Sequence, residues 1–253
     1  MFKEYPCLRV DGPDDEEVAE STCKVVEEIP LSIFINGRHF VTAMTSPHMR
    51  EEFILGHLFS ERIIKGLSEI ESLEIEGNVA RAIISNPMKA LLPRRPIVSG
   101  CGGIASFLDE SKLSMISSGL LIDKEEIFKA MKAISSSEVH EATGGVHSVG
   151  LFDENGVVYI AEDIGRHNAL DKVVGYGLKK KVDFGRTFAA STGRISSDMA
   201  MKCSAVGIPI VVSRGATTSL AMKIAVRTGL TIVGFVRGKR LNVYTNPQRL
   251  SNI

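Results

Sequence analysis

Between Val157 and Arg240 the chain alternates short apolar runs with helical stretches, and that alternation limits its possible folds more than any other feature. Val157–Ala161 reads as a strand, followed by the loop 162–168 and a helix from about Ala169 to Leu178. Thr187–Ser191 is the next strand, then Thr192-Gly193-Arg194-Ile195-Ser196-Ser197 and a helix to about Val206. Pro209–Val212 leads into Ser213-Arg214-Gly215-Ala216-Thr217-Thr218 and a helix to about Arg227, and Thr231–Val236 ends in Arg237-Gly238-Lys239-Arg240. Strands that alternate with helices predict an α/β layer with a largely parallel sheet.

Each of these strands is followed within a few residues by an arginine: Arg166, Arg194, Arg214 and Arg237. In open α/β sheets the ligand crevice lies beyond the carboxyl ends of the strands, so parallel strands would bring the four guanidinium groups together. Two of the loops also place Ser or Thr and Gly at a helix N-terminus, where free N–H groups and the helix dipole favour anions. A single arginine is ordinarily a solvated surface charge. Four at equivalent positions point to a polyanionic ligand, most simply one with several phosphates. No P-loop and no G-x-G-x-x-G occurs, which argues against a common ATPase and a dinucleotide-dependent dehydrogenase. Glu162-Asp163, Arg166-His167 and Asp171-Lys172 crowd one corner of this half. They fit either an ion-pair network that holds the loop or groups that orient a ligand and move protons.

The first half reads differently. Residues 1–21 form a polar lead-in with an acidic head, Asp14-Asp15-Glu16-Glu17, that includes Cys7 and lies beside Cys23. Residues 22–100 read as a small α+β unit. Lys24–Glu27 and Leu31–Ile35 are strands, and Asn36-Gly37 signals a two-residue hairpin into 38–44. Ser46-Pro47 suits the start of a helix whose Met49, Phe53, Ile54, His57 and Leu58 share a face, so His57 is expected to pack. Ser72–Ile75 and Val79–Ser85 flank a turn at Glu76-Gly77-Asn78. Residues 101–253 form the larger α/β domain. It opens with a helix capped by Asp123 and with Thr143-Gly144-Gly145-Val146-His147, where His147 either faces a cleft beside backbone N–H groups or is a satisfied strand histidine.

At the junction lies Pro93-Arg94-Arg95-Pro96-Ile97-Val98-Ser99-Gly100-Cys101-Gly102-Gly103. Glycines on both sides free the backbone around the sulfur, and the arginines favour thiolate, so Cys101 is read as a working thiol rather than a core filler. The four cysteines are Cys7, Cys23, Cys101 and Cys203, and none forms a C-x-x-C pair. No zinc site or metal is expected, and scattered thiols suit a reducing compartment. Cys203 sits in an apolar helical stretch and is expected in the core. Lys plus Arg and Asp plus Glu both total 30 over 253 residues, so no basic field favours nucleic acid. With no signal segment and no membrane-length apolar run, the chain reads as soluble and cytoplasmic.

The stretch Glu162-Asp163-Ile164-Gly165-Arg166-His167-Asn168-Ala169-Leu170-Asp171-Lys172 resembles the signature of the FdhD family of formate dehydrogenase accessory sulfurtransferases. The likeness extends over most of the chain. It includes Glu28-Ile29-Pro30-Leu31, Gly56-His57-Leu58-Phe59-Ser60-Glu61, Gly100-Cys101-Gly102, Thr143–His147, Gly193-Arg194-Ile195-Ser196, Phe235-Val236-Arg237-Gly238 and Val243-Tyr244-Thr245.

The resemblance implies a cytidine-deaminase-like α/β domain, with a mixed sheet and helices on both faces, behind the smaller α+β part. It also implies a homodimer. Cys101 would take sulfur from a cysteine desulfurase as a persulfide and pass it to a molybdenum or tungsten bis(molybdopterin guanine dinucleotide) cofactor bound for formate dehydrogenase. Phe235, Val236, Arg237, Gly238, Lys239 and Arg240 would bind that cofactor, joined by Arg194, Ser196, Arg214 and Thr217, with GDP-like nucleotides as partial mimics. His147, Asp163, Arg166 and His167 would shape the transfer cavity. The family loop reads Cys-Gly-x-Cys-Gly, whereas here Ile104-Ala105 follows Gly103, so a second loop thiol is missing. The zinc signature of the deaminases is absent too. The alternatives are a cofactor chaperone that transfers no sulfur and a phosphate-ligand enzyme such as a nucleotide hydrolase.

Overall fold

Antiparallel pairing begins at the N-terminus: β1 (Phe2–Val10) runs against β2 (Val18–Val26) from Phe2 opposite Val26 to Val10 opposite Val18. This corrects the expected polar lead-in. The same register sets Cys7 opposite Ser21 and Cys23 opposite Tyr5, so the two cysteines are diagonal neighbours on one face. Their Cα atoms are 6.0 Å apart and the sulfurs are bonded, where the sequence suggested separate free thiols. The structure, a computed structural model, describes residues 1–10, 12, 18–86 and 112–253. Cys101, its approach from Pro93 and the expected 100/101 domain boundary lie outside the described residues.

A four-stranded sheet follows. β3 (Ile29–Ile35) and β4 (Arg38–Thr45) form a hairpin whose turn residues, Asn36 and Gly37, have φ of 48° and 80°. Two consecutive positive φ values match the twist of a hairpin, which is why Asn-Gly is found there. Beyond helix α1 (Arg50–Ser60), β5 (Ile70–Glu76) and β6 (Val79–Ile84) close a second hairpin, and the sheet order is β4-β3-β6-β5. Leu31, Ile33 and Ile35 alternate inward along β3 and pack with Phe53, Ile54 and Leu58 of α1. The helix starts later than Ser46-Pro47 suggests: its N-cap is Met49, in the left-handed region at φ 56°. Ser46 is unavailable as a cap because its hydroxyl accepts from Lys172 Nζ at 2.7 Å, while its N–H and hydroxyl both donate to Asp163, at 3.0 and 3.1 Å.

The larger layer is built from β7 (Ile122–Asp123), α2 (Lys124–Ser135), α3 (Glu138–Thr143), β8 (His147–Asp153), β9 (Gly156–Asp163), α4 (Arg166–Lys179), β10 (Phe188–Ser191), α5 (Ser197–Val206), β11 (Ile210–Ser213), α6 (Ser219–Thr228), β12 (Thr231–Arg237), β13 (Arg240–Val243) and β14 (Leu250–Ser251). Asp123 caps α2 by accepting from Glu125 N–H, as its sequence position implies. The main sheet has the order β13-β12-β11-β10-β8-β9, with β10, β11 and β12 parallel. β8 lies antiparallel between β10 and β9, so the sheet is mixed rather than largely parallel. Two reversals cancel, and β9 therefore runs in the same direction as β10, β11 and β12. Their carboxyl ends share one edge.

Ala169, Leu170 and Val173 of α4, with Met199 and Ala200 of α5 and Ala221 and Ile224 of α6, cover one face of this sheet. Ile127, Met131 and Ile134 of α2 cover the other, against Phe152, Phe188 and Val212. The two layers meet where α1 crosses α4, and glycines make that crossing close. A Cβ added at Gly56 would lie 1.8 Å from the Asp171 carbonyl oxygen, and one at Gly175 would lie 1.9 Å from that of Glu52. Cys203 is fully buried, and burial pushes its thiol up to about 12. Among the described residues no helix is long and apolar enough to cross a membrane.

Candidate functional site

The shared edge of β9 to β12 carries the arginine-bearing loops, and short turns built on Ser and Gly hold each loop against the next. Ser191 Oγ accepts from Gly193 N–H at 3.1 Å, while Ser213 Oγ accepts from Gly215 N–H at 2.8 Å and donates to the Gly193 carbonyl at 2.6 Å. Ile195 bridges Thr217 in parallel, with Ile195 N–H donating to the Ala216 carbonyl at 2.9 Å. The glycines let the loops nest. A Cβ at Gly193 would strike the Arg166 side chain at 2.7 Å, and one at Gly215 would lie 3.4 Å from Arg194. Arg237 Nε donates to the Arg214 carbonyl at 3.2 Å, which ties the end of β12 to the β11 loop.

Arg194, Arg214 and Arg237 are exposed along this rim, whereas Arg166 is only 6% exposed and lies behind it, beneath Gly193. The expected rim of four arginines is therefore three exposed cations and one buried one. The reason is a tertiary contact: Arg166 is the first residue of α4, and its side chain packs against Gly193 of the neighbouring loop. Ser196 and Thr218 cap α5 and α6 by accepting from Met199 and Ala221 N–H. Thr217 donates its hydroxyl to the Ile195 carbonyl at 3.4 Å.

The carboxyl-terminal segment divides by strand geometry. Phe235 is exposed, at φ 52° in a bulge of β12, and its N–H donates to the Gly215 carbonyl at 2.9 Å. Val236 points into the core at 3% exposure, so its side chain cannot line a ligand site. Gly238 at φ 55° turns the chain, with Lys239 exposed beside it and Arg240 paired opposite Arg237. Arg237, Lys239 and Arg240 thus extend the positive rim.

Next to Arg214 is a cavity of about 270 Å³ lined by His140, Gly145, His147, Ile164, Thr192 and Arg214, among others. His147 Nδ1 lies 3.5 Å from Thr192 Oγ1, and burial, then Arg166 and then His140, lowers its pKa. His167 Nε2 is 3.0 Å from Ser196 Oγ. Burial, reinforced by Arg166 and Lys202, lowers the His167 pKa to about 3, so the ring is neutral at working pH. The positive charge of this edge is guanidinium and ammonium, not imidazolium.

Asp163 does not face the cavity. It has no exposure, and Oδ2 accepts from Thr45 Oγ1, Ser46 and Lys172 Nζ, the last at 2.6 Å. Oδ1 accepts from Gly165 N–H and Asn168 Nδ2. Thr45 and Ser46 come from the end of β4, so this carboxylate joins the two layers and holds the start of α4. A second buried cluster does similar work. Lys202 of α5 lies 2.8 Å from Asp171 and 3.0 Å from Glu61, and His57 Nδ1 lies 2.9 Å from Asp171. Burial alone would raise the Asp171 pKa, but Lys202 and His57 outweigh it and bring it to about 2. The crowded ionisable corner is thus largely a scaffold. Sequence reasoning missed Glu61 and Lys202, although a lysine between Met201 and Cys203 in an apolar helix was a visible signal. Among the described residues no group of three or more His, Cys, Asp or Glu could hold a metal.

Residues 26–251 match the FdhD/NarQ family. The sulfur carrier protein FdhD of Methanothermobacter thermautotrophicus is 36% identical over 254 residues, covering 99% of each chain. That of Bacillus pumilus is 36% identical over 242 residues, 91% of this chain and 92% of the other. A crystal structure from Desulfotalea psychrophila, provisionally described as a formate dehydrogenase accessory protein, aligns with a TM-score of 0.79 at 28% identity. The alignment covers 98% of this chain and 99% of that one.

Proposed function

Since the chain belongs to the FdhD/NarQ family, we propose that it is a sulfur carrier in formate dehydrogenase maturation, with Cys101 taking sulfur from a cysteine desulfurase as a persulfide. The Cys101 thiolate attacks the terminal sulfur of the donor persulfide, and the donor thiolate leaves. The acceptor is a molybdenum or tungsten bis(molybdopterin guanine dinucleotide), a substrate rather than a resident group.

The observation that carries the reading is the row of exposed Arg194, Arg214 and Arg237 along one sheet edge, beside the cavity that Arg214 lines. Guanidinium groups match phosphate oxygens in a two-toothed geometry, and the pyrophosphates of such a cofactor supply several of them. Arg240, Lys239 and the exposed Phe235 would meet the guanine ends, with Ser196, Thr217 and the Gly238 turn contributing polar backbone and hydroxyl contacts. His147 lines the cavity as a neutral ring able to accept a proton, while His167, Arg166 and Asp163 hold the loops around it. The larger layer, with helices on both faces of a mixed sheet, fits a cytidine-deaminase-like domain following a small α+β unit, and the working form would be a homodimer.

GDP serves as a probe. It should bind without turnover, and Arg194→Ala with Arg214→Ala should weaken it by about tenfold or more for each lost charge-assisted contact of roughly 1.5–3 kcal/mol. Hydrolysis of GDP or GTP would point instead to a nucleotide hydrolase. Intact-mass measurement after desulfurase and cysteine treatment should show one added sulfur that Cys101→Ala removes. Normal formate dehydrogenase maturation with that variant would leave only a sheltering role for the cofactor.

A further inference from the structure

Reducing a sulfane sulfur to sulfide takes two electrons, and two thiols within bonding distance are the simplest source in a protein. Of the chain's other cysteines, Cys203 is sealed in α5 with its thiol held neutral by burial. Cys7 and Cys23 differ in every respect. They are bonded to each other, Cys23 is exposed and Cys7 half-buried, and their ribbon contributes nothing to the three buried apolar clusters. An exposed disulfide outside a core is the reducible kind.

Strand alternation places Lys3, Tyr5, Cys7 and Arg9 on one face of the ribbon, facing Ala19, Ser21, Cys23 and Val25. Among the described residues of the two strands, that face carries Lys3 and Arg9 and no carboxylate. Glu4 and Glu20 alternate onto the opposite face, and Glu27 at the base pairs with Lys3 at 2.8 Å. Arg9 remains beside Cys7, where a positive neighbour favours thiolate and draws an anionic persulfide.

We propose that Cys7 and Cys23 form a dithiol–disulfide couple that accepts persulfide sulfur and releases it as sulfide; this rests on the sulfur-carrier reading for its substrate class. In the reduced pair, the Cys23 thiolate attacks the terminal sulfur of R–S–SH, and R–S⁻ leaves. The Cys7 thiolate then attacks Cys23 Sγ, closes the disulfide and expels HS⁻. R–S–SH and two thiols become R–SH, H₂S and one disulfide, so all three hydrogens are accounted for. The sulfane sulfur gains the two electrons that the cysteine pair loses. An external dithiol, dithiothreitol or a thioredoxin-class protein, resets the pair.

The test mixes full-length protein, reduced and desalted, with glutathione persulfide, and reads sulfide release and intact mass. Expected is one sulfide per chain, with loss of two hydrogens mapping to Cys7 and Cys23. Cys7→Ser should stop with one extra sulfur on Cys23 and release no sulfide above the protein-free background. The proposal falls if the double variant Cys7→Ser/Cys23→Ser releases as much sulfide as the parent. It also falls if dithiothreitol opens the disulfide only after the chain is unfolded, or if Cys101→Ala abolishes the turnover. The Cys101 reading fails separately: a desulfurase that never loads Cys101 removes it, while hairpin turnover with glutathione persulfide persists.

Discussion

Replacing His167 with glutamine should flatten the acid side of this protein's stability curve. The ring is 13% exposed, and its pKa falls from the ordinary 6.5 to about 3, chiefly through burial. Below pH 6.5 the unfolded chain binds a proton at this position that the folded chain refuses. Stability therefore drops as pH falls from 6.5 toward 3, by about 1.4 kcal/mol per pH unit for this one group. Between pH 7 and 5 that amounts to about 2 kcal/mol. Glutamine cannot titrate, and its Nε2 can still reach Ser196 Oγ, the atom that His167 Nε2 meets at 3.0 Å. Urea denaturation followed by circular dichroism at pH 7, 6 and 5 gives the slope for both proteins. The slope due to His147, also lowered by burial, remains in the variant. Parallel lines for parent and variant would refute the argument, whatever the variant's absolute stability.

Lys202→Met removes the cation between Asp171 and Glu61 and should cost about 3–5 kcal/mol in denaturant unfolding, because two buried carboxylates lose the lysine charge that compensates them. Adding Asp171→Asn should recover part of that loss, measured as a coupling in a double-mutant cycle. Gly56→Ala must push α1 off the Asp171 carbonyl and should lower stability by about 1–3 kcal/mol, read from the urea midpoint. Asp171 contributes stability that is present above its unfolded value of 3.8 and lost as pH falls toward about 2, so Asp171→Asn should reduce the acid sensitivity of the remaining fold below pH 4.

How well the chain could be read depended on the range of the interaction. The hairpin at Asn36-Gly37 and the cap at Asp123 are local: each needs a few residues and their φ preferences, and both occur where the sequence places them. The arginines after successive strands were equally legible, since chain direction alone decides at which sheet edge a loop emerges. The fate of Arg166 was not, because its burial depends on how α4 sits under the Gly193 loop. Ser46 shows the same limit. By local preference it starts a helix, but an acceptor 117 residues away in the chain claims both its N–H and its hydroxyl.

Propensity and periodicity, acting over a turn or two of chain, were enough to determine the alternating strands and helices, the two hairpins of the small sheet and the succession of basic loops. Tertiary structure alone decided that β8 enters between β9 and β10 and that Cys7 meets Cys23. It also decided that Asp163 and Asp171 are buried at the joint between layers. Those outcomes depend on contacts between residues far apart in the chain. Burial and charge compensation at such contacts arise only once the layers have packed, and no local preference encodes them.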